Sequence, residues 1–145
     1  MANKLGFSSL AFYQLDLAKA LNWGENYEFE VFEIVAENKH AIDEETLPNI
    51  KDLLSCYKFD YTVHAPFSDI NISSLNKSIR KESIRQVKYA IYAVNEIGGK
   101  LLTFHPGRHS AATSKSRDDT KKILFESLKE ISDYNKDFGV NIALE

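Results

Sequence analysis

Two histidines and a glutamate, His64, His105 and Glu145, each close a short apolar run. The runs are Phe59-Asp60-Tyr61-Thr62-Val63-His64 before Ala65-Pro66, Leu101-Leu102-Thr103-Phe104-His105 before Pro106-Gly107, and Val140-Asn141-Ile142-Ala143-Leu144-Glu145. Neutral imidazole and carboxylate are ordinary ligands for zinc, manganese or iron, so the set suits a divalent metal. An ion held this way polarises a carbonyl or hydroxyl, or activates a water. A single such histidine would more simply be read as satisfying a buried turn. Three strand ends with one facing parity point instead to a site, because alternation puts His64 with Thr62, His105 with Thr103 and Glu145 with Ala143.

The elements that must position these side chains are read from period and punctuation. Strands begin near residues 5, 29, 59, 101 and 140, and each of the first four is followed by a helical pattern. Glu28 to Ile34 is read as the second strand, with Glu33 near its C-terminal end. Leu47, Ile50, Leu53 and Leu54 form a helical stripe that tolerates Pro48 in its first turn. A long loop from Ala65 to about Asn76 precedes the strongest helix, whose stripe Ile84, Val87, Ile91, Val94 and Ile97 stops at Gly98-Gly99. A second long loop runs to Ser116, which with Asp119 reads as a capping box for the helix carrying Leu124, Leu128, Ile131, Tyr134 and Phe138. Strands alternating with helices and no hairpin signal imply a parallel sheet. A doubly wound sheet usually carries a Gly-rich phosphate loop after strand one, and Gly6-Phe7-Ser8-Ser9 offers none. A (β/α)₈ barrel gathers functional groups at successive strand ends, which is where Glu33, His64, His105 and Glu145 fall. The expected architecture is therefore a partial (β/α)₈ TIM barrel of about four and a half βα units, with sheet order 1-2-3-4-5.

At 145 residues, 43% hydrophobic and 12% aromatic, the chain fits one domain, residues 1–145, with a sizeable core. A net charge of −3 gives no global attraction to nucleic acid or anionic membrane. No 18-residue apolar run and no signal-like leader occur, so the chain is read as cytoplasmic. The lone Cys56 is read as a small core residue and His40 as surface. His109 lies past the Pro-Gly turn, where it reaches the mouth of the site or is solvated. Lys77, Arg80, Lys81, Arg108, Lys115 and Arg117 lie in or beside the long loops, as a rim that binds a phosphate group or a nucleic-acid backbone, or as a solvated one.

The motifs Val63-His64-Ala65-Pro66, Phe104-His105-Pro106-Gly107 and Ala143-Leu144-Glu145 resemble the xylose isomerase-like TIM-barrel superfamily. That group includes sugar-phosphate isomerases and epimerases and the endonuclease IV type of apurinic-site nuclease (AP endonuclease family 2). The resemblance covers the whole chain but only the N-terminal portion of such a barrel. It implies that Glu145 is a metal ligand and a candidate acid/base. It makes His64 and His105 zinc ligands in the nuclease branch, and substrate neighbours in the epimerase branch. Glu33 matches an acid of the epimerase branch, and Phe104-His105-Pro106-Gly107-Arg108-His109 is similar to the nuclease motif with Arg108 in place of a small residue. Glu33, His109 and Arg108 join the two histidines as expected substrate contacts.

The expected function is a metal-dependent sugar or sugar-phosphate isomerase/epimerase of carbohydrate metabolism. Its cofactor is a divalent ion such as Zn, Mn, Mg or Co. The alternative is a zinc-dependent apurinic/apyrimidinic endonuclease acting on DNA, and the third reading is a non-catalytic binding fragment. The Asp, His and Glu that the resemblance places on strands six to eight fall outside these 145 residues. A chain ending at Glu145 is therefore expected to self-associate through its open sheet edges and to need no membrane.

Overall fold

The computed structural model describes residues 4–108 and 114–145. Five parallel strands, β1 (Gly6–Ser8), β2 (Val31–Val35), β3 (Asp60–His64), β4 (Leu101–Phe104) and β5 (Asn141–Leu144), pair in the order β1-β2-β3-β4-β5. That is the expected order. Among the described residues the strands are joined by α1 (Leu17–Asn26), α2 (Leu47–Leu54), α3 (Lys77–Glu96) and the helix Arg117–Asn135, called α4.

Alternation along the strands divides the sheet into two faces. Phe32, Ile34, Tyr61, Val63, Leu102 and Phe104 are buried in one core with Leu21, Ile84, Val87 and Ile91 of the helices. Fully burying each such side chain stabilises the fold by about 1.5–3 kcal/mol relative to exposing it. The opposite face carries Glu33, Thr62, His64, Thr103 and Ala143. The pairings Val35 with His64, His64 with Thr103, and Thr103 with Ala143 put these positions on one side of the sheet.

Helix α3 starts where Asn76 caps it, its side chain accepting from the amides of Ser78 at 3.0 Å and Ile79 at 3.4 Å. It ends at Gly98, whose φ of +68° no β-carbon opposes. Pro48 sits in the first turn of α2, where its missing N–H costs no helical bond.

Several expectations require correction. Strand β2 begins at Val31 rather than Glu28, because Glu28 adopts φ +59° in the turn that ends α1, where the amide of Phe29 donates to the Gly24 carbonyl at 3.2 Å. The acid/apolar alternation before Val31 is thus a turn, not a strand. Ser116 precedes α4 as expected, but its side chain makes no cap; its carbonyl instead accepts from the Thr120 amide and hydroxyl. Cys56 is exposed, since α2 stops at Leu54 and leaves the thiol beyond the apolar stripe. His40 is 1% exposed rather than on the surface. The short 3-10 turn Asn38–His40 tucks its ring under the preceding βα loop, where Nε2 donates to the Leu15 carbonyl at 2.9 Å. Among the described residues no helix is long and apolar enough to cross a membrane.

Candidate metal and substrate site

His64 is the last residue of β3, His105 follows the last residue of β4, and Glu145 follows the last residue of β5. One ligand atom from each lies within 4.8 Å of the others. His64 is buried, His105 half-buried and Glu145 exposed, so the cluster opens to solvent on the glutamate side.

Each imidazole is oriented by its Nδ1. In His64 that atom faces the Ala65 carbonyl at 2.8 Å, and in His105 the Glu145 carbonyl at 3.2 Å. A carbonyl only accepts, so Nδ1 is the donor in both rings, and Nε2 is the nitrogen that a neutral ring would offer to a metal. Imidazole fixed this way is how metal-ligating histidines are usually held. Nε2 of His64 lies 3.7 Å from Oε2 of Glu145. Two imidazoles and a carboxylate converging from three strands fit a divalent cation.

Phe67 closes the cluster on one side. Its ring meets His64 at 5.3 Å between centroids with an 82° interplanar angle, and His105 at 5.8 Å and 81°. The two imidazoles lie 5.0 Å apart. Phe67 belongs to the β3–α3 loop, whose Pro66-Phe67-Ser68 segment is held by Glu37, the second residue past β2. The Glu37 carboxylate accepts from the backbone amides of Phe67 and Ser68, and from the Ser68 hydroxyl at 2.7 Å. Burial works to raise the Glu37 pKa, but these Ser68 and Phe67 hydrogen bonds, helped by nearby His64, hold it below the ordinary carboxylate value.

The same loop is fastened to the turn after β4. Asn71 donates from Nδ2 to the Arg108 carbonyl at 2.9 Å, and the Ser73 amide donates to the Pro106 carbonyl at 3.2 Å. Gly107, at φ +104°, is required there: a β-carbon would stand 2.3–2.7 Å from Asn71, including its Cα.

The other expected contacts fall differently. Glu33 is on the site's face of the sheet but in the middle of β2, paired with Thr62, two residues below the level of His64. That is roughly 7 Å of strand rise, and so Glu33 is not at the strand end as expected. Arg108 is exposed and lines a cleft of about 640 Å³ with Phe67, Asn71 and Ile79. His109 lies outside the described residues. Arg80, read as part of a rim, donates instead to the Ser74 carbonyl at 2.6 Å. Sequence reasoning missed Glu37 and Phe67. Phe67 had a signal, as the residue after His64-Ala65-Pro66; Glu37, in a polar stretch, had none.

Parallel strands in sequential order, with polar groups gathered at their C-terminal ends, define a TIM-barrel protein. The chain belongs to the xylose isomerase-like TIM barrel family, which residues 17–145 match. It is 30% identical, over 98% of its length and 48% of the relative's, to an uncharacterized protein of Methanocaldococcus jannaschii. The crystal structure of a D-tagatose 3-epimerase-like protein superimposes on it with a TM-score of 0.87 at 29% identity, covering 98% of this chain and 52% of that one. The IOLI protein, solved with a bound zinc atom, gives a TM-score of 0.75 at 19% identity, covering 98% and 51%. The chain thus spans about half the length of these relatives.

Proposed function

We propose that residues 1–145 are the N-terminal portion of a metal-dependent sugar or sugar-phosphate epimerase or isomerase. The observation that carries the reading is the convergence of His64, His105 and Glu145 within 4.8 Å at three successive strand ends. Support comes from the 29% identity to a D-tagatose 3-epimerase-like protein and from a zinc atom bound in a neighbour of the same fold.

His64 and His105 would hold the cation through Nε2, with Glu145 as the anionic ligand. When bound, the ion supplies Lewis-acid polarisation of a carbonyl oxygen. The rest falls to protein side chains. Glu145, exposed on the open side, would take the proton from one face of the carbon beside that carbonyl, and a second acid/base group on the opposite face, expected on strands beyond these 145 residues, would deliver one there to complete the epimerisation. Phe67 gives an apolar wall beside the imidazoles, suited to the C–H face of a sugar and to excluding water.

The test is to give purified full-length protein, metal-free and then loaded with zinc, manganese, magnesium or cobalt, a panel of ketoses and ketose phosphates, with an abasic-site DNA duplex in parallel. Metal-dependent epimer formation is expected. Duplex cleavage without sugar turnover would move the assignment to the endonuclease branch of the family.

A further inference from the structure

Glu37 lies outside the ligand set yet is 7% exposed, with its carboxylate saturated by one short loop segment. A buried acid costs several kcal/mol unless hydrogen bonds compensate it, so its place in the fold is not neutral. Its three donors are the amide of Phe67, the amide of Ser68 and the Ser68 hydroxyl. The residue they fix is the one whose ring touches both imidazoles. On the other side, the base of Glu37 is tied to β3, because the amide of the neighbouring Ala36 donates to the His64 carbonyl at 2.9 Å. One residue therefore joins the end of β2, the His64 backbone and the loop that carries Phe67.

We infer that Glu37 is a positioning residue: its carboxylate clamps the Phe67-Ser68 backbone and thereby sets the Phe67 ring against His64 and His105, fixing the direction in which their Nε2 atoms point. The inference rests on the reading of those two histidines as ligands. Without the clamp the loop keeps its far fastening through Asn71 and Ser73, but Phe67 gains freedom to swing away. The imidazoles then keep their Nδ1 bonds and lose the wall that limits their rocking. The shape of the carboxylate matters as well as its charge. A glutamine carbonyl still accepts from both amides, while an aspartate is one methylene short of them.

The experiment compares the imidazole proton resonances of His64 and His105 in full-length, metal-free protein at one fixed pH. Phe67→Leu gives the position expected without the ring current. Glu37→Ala and Glu37→Asp are expected to move both sets of resonances toward that position, with Glu37→Gln staying near wild type. Should Glu37→Ala fail to fold, Glu37→Asp carries the comparison. Cobalt affinity, read by competition with a chelator, should fall on the order of tenfold or more in the Ala and Asp variants, as it does when second-layer partners of a metal site are lost. Wild-type imidazole shifts in the Ala or Asp variant, alongside displaced shifts in Phe67→Leu, overturn the clamp. Failure of the wild-type protein to bind metal counts against the proposed function and not against the clamp, which the resonances decide.

Discussion

The carboxylate and the backbone carbonyl of Glu145 face different histidines: Oε2 stands 3.7 Å from Nε2 of His64, and the carbonyl accepts from Nδ1 of His105 at 3.2 Å. One residue thus places a carboxylate beside the first imidazole and a backbone acceptor against the second. The two roles separate by mutation, because only one of them belongs to the side chain.

On the proposed reading, Glu145→Gln removes the anionic ligand and the proton acceptor while leaving the carbonyl that orients His105. In the full-length protein, metal affinity should fall roughly tenfold or more, and turnover should fall with it even at saturating metal. Metal analysis after dialysis, with activity assayed on the same samples, checks this. Equal metal content and equal turnover would remove Glu145 from the site.

Gly107→Ala tests the link between the two loops. The added methyl would meet Asn71 at 2.3–2.7 Å in a backbone region that alanine rarely adopts. The turn should shift and the Asn71 bond to the Arg108 carbonyl should be lost, weakening metal binding without abolishing folding. Metal affinity and the thermal midpoint, measured together, separate this outcome from general unfolding.

His40 predicts an acid-sensitive fold. Burial lowers its pKa below 6.5, outweighing the Leu15 hydrogen bond, and its buried Nδ1 finds no hydrogen-bond partner among the described residues. A group whose folded pKa is depressed contributes stability above its unfolded pKa and loses it as the pH falls through the folded value. Thermal midpoints should therefore decline as the pH drops below about 6.5. His40→Gln, which keeps a donor for the Leu15 carbonyl but does not titrate, should show a flatter profile over the same range.

Phe32→Ala separates fold from site. Phe32 is fully buried, edge-on to Phe7 at 4.7 Å and near Phe59 at 5.6 Å, on the face of β2 opposite Glu33. Truncation should cost about 3–5 kcal/mol in denaturant unfolding. Metal affinity should stay near wild type under conditions where the variant remains folded.

Strand order and strand ends were legible in the sequence because each apolar run is bounded by Gly, Pro or a polar loop, and period two assigns each side chain a face. The convergence of His64, His105 and Glu145 was reachable from that grammar alone. Glu33 was placed too high because the run was read as Glu28 to Ile34, whereas the backbone turns at Glu28 and the strand is Val31–Val35, with Glu33 at its centre. His40, Cys56 and Glu37 were not legible, since their surroundings depend on how loops fold over the sheet. A polar side chain in a polar segment carries no periodic signal of whether it is buried. The loop that lays Phe67 on the imidazoles is fixed by contacts over 30 residues apart in sequence, such as that of Glu37 with Ser68.

The ladder that pairs Val35 with His64, His64 with Thr103 and Thr103 with Ala143 also constrains how this chain can change in length. Side chains alternate faces at every residue, so deleting or inserting one residue within β3, β4 or β5 would turn the terminal His or Glu toward the helices. Substitutions inside these strands alter packing by degrees, whereas a one-residue length change there takes a member out of the His64, His105 and Glu145 cluster outright. Gene variants that retain the site should therefore gather their insertions and deletions in the loops and helices between the strands, and keep each interval from strand start to ligand constant.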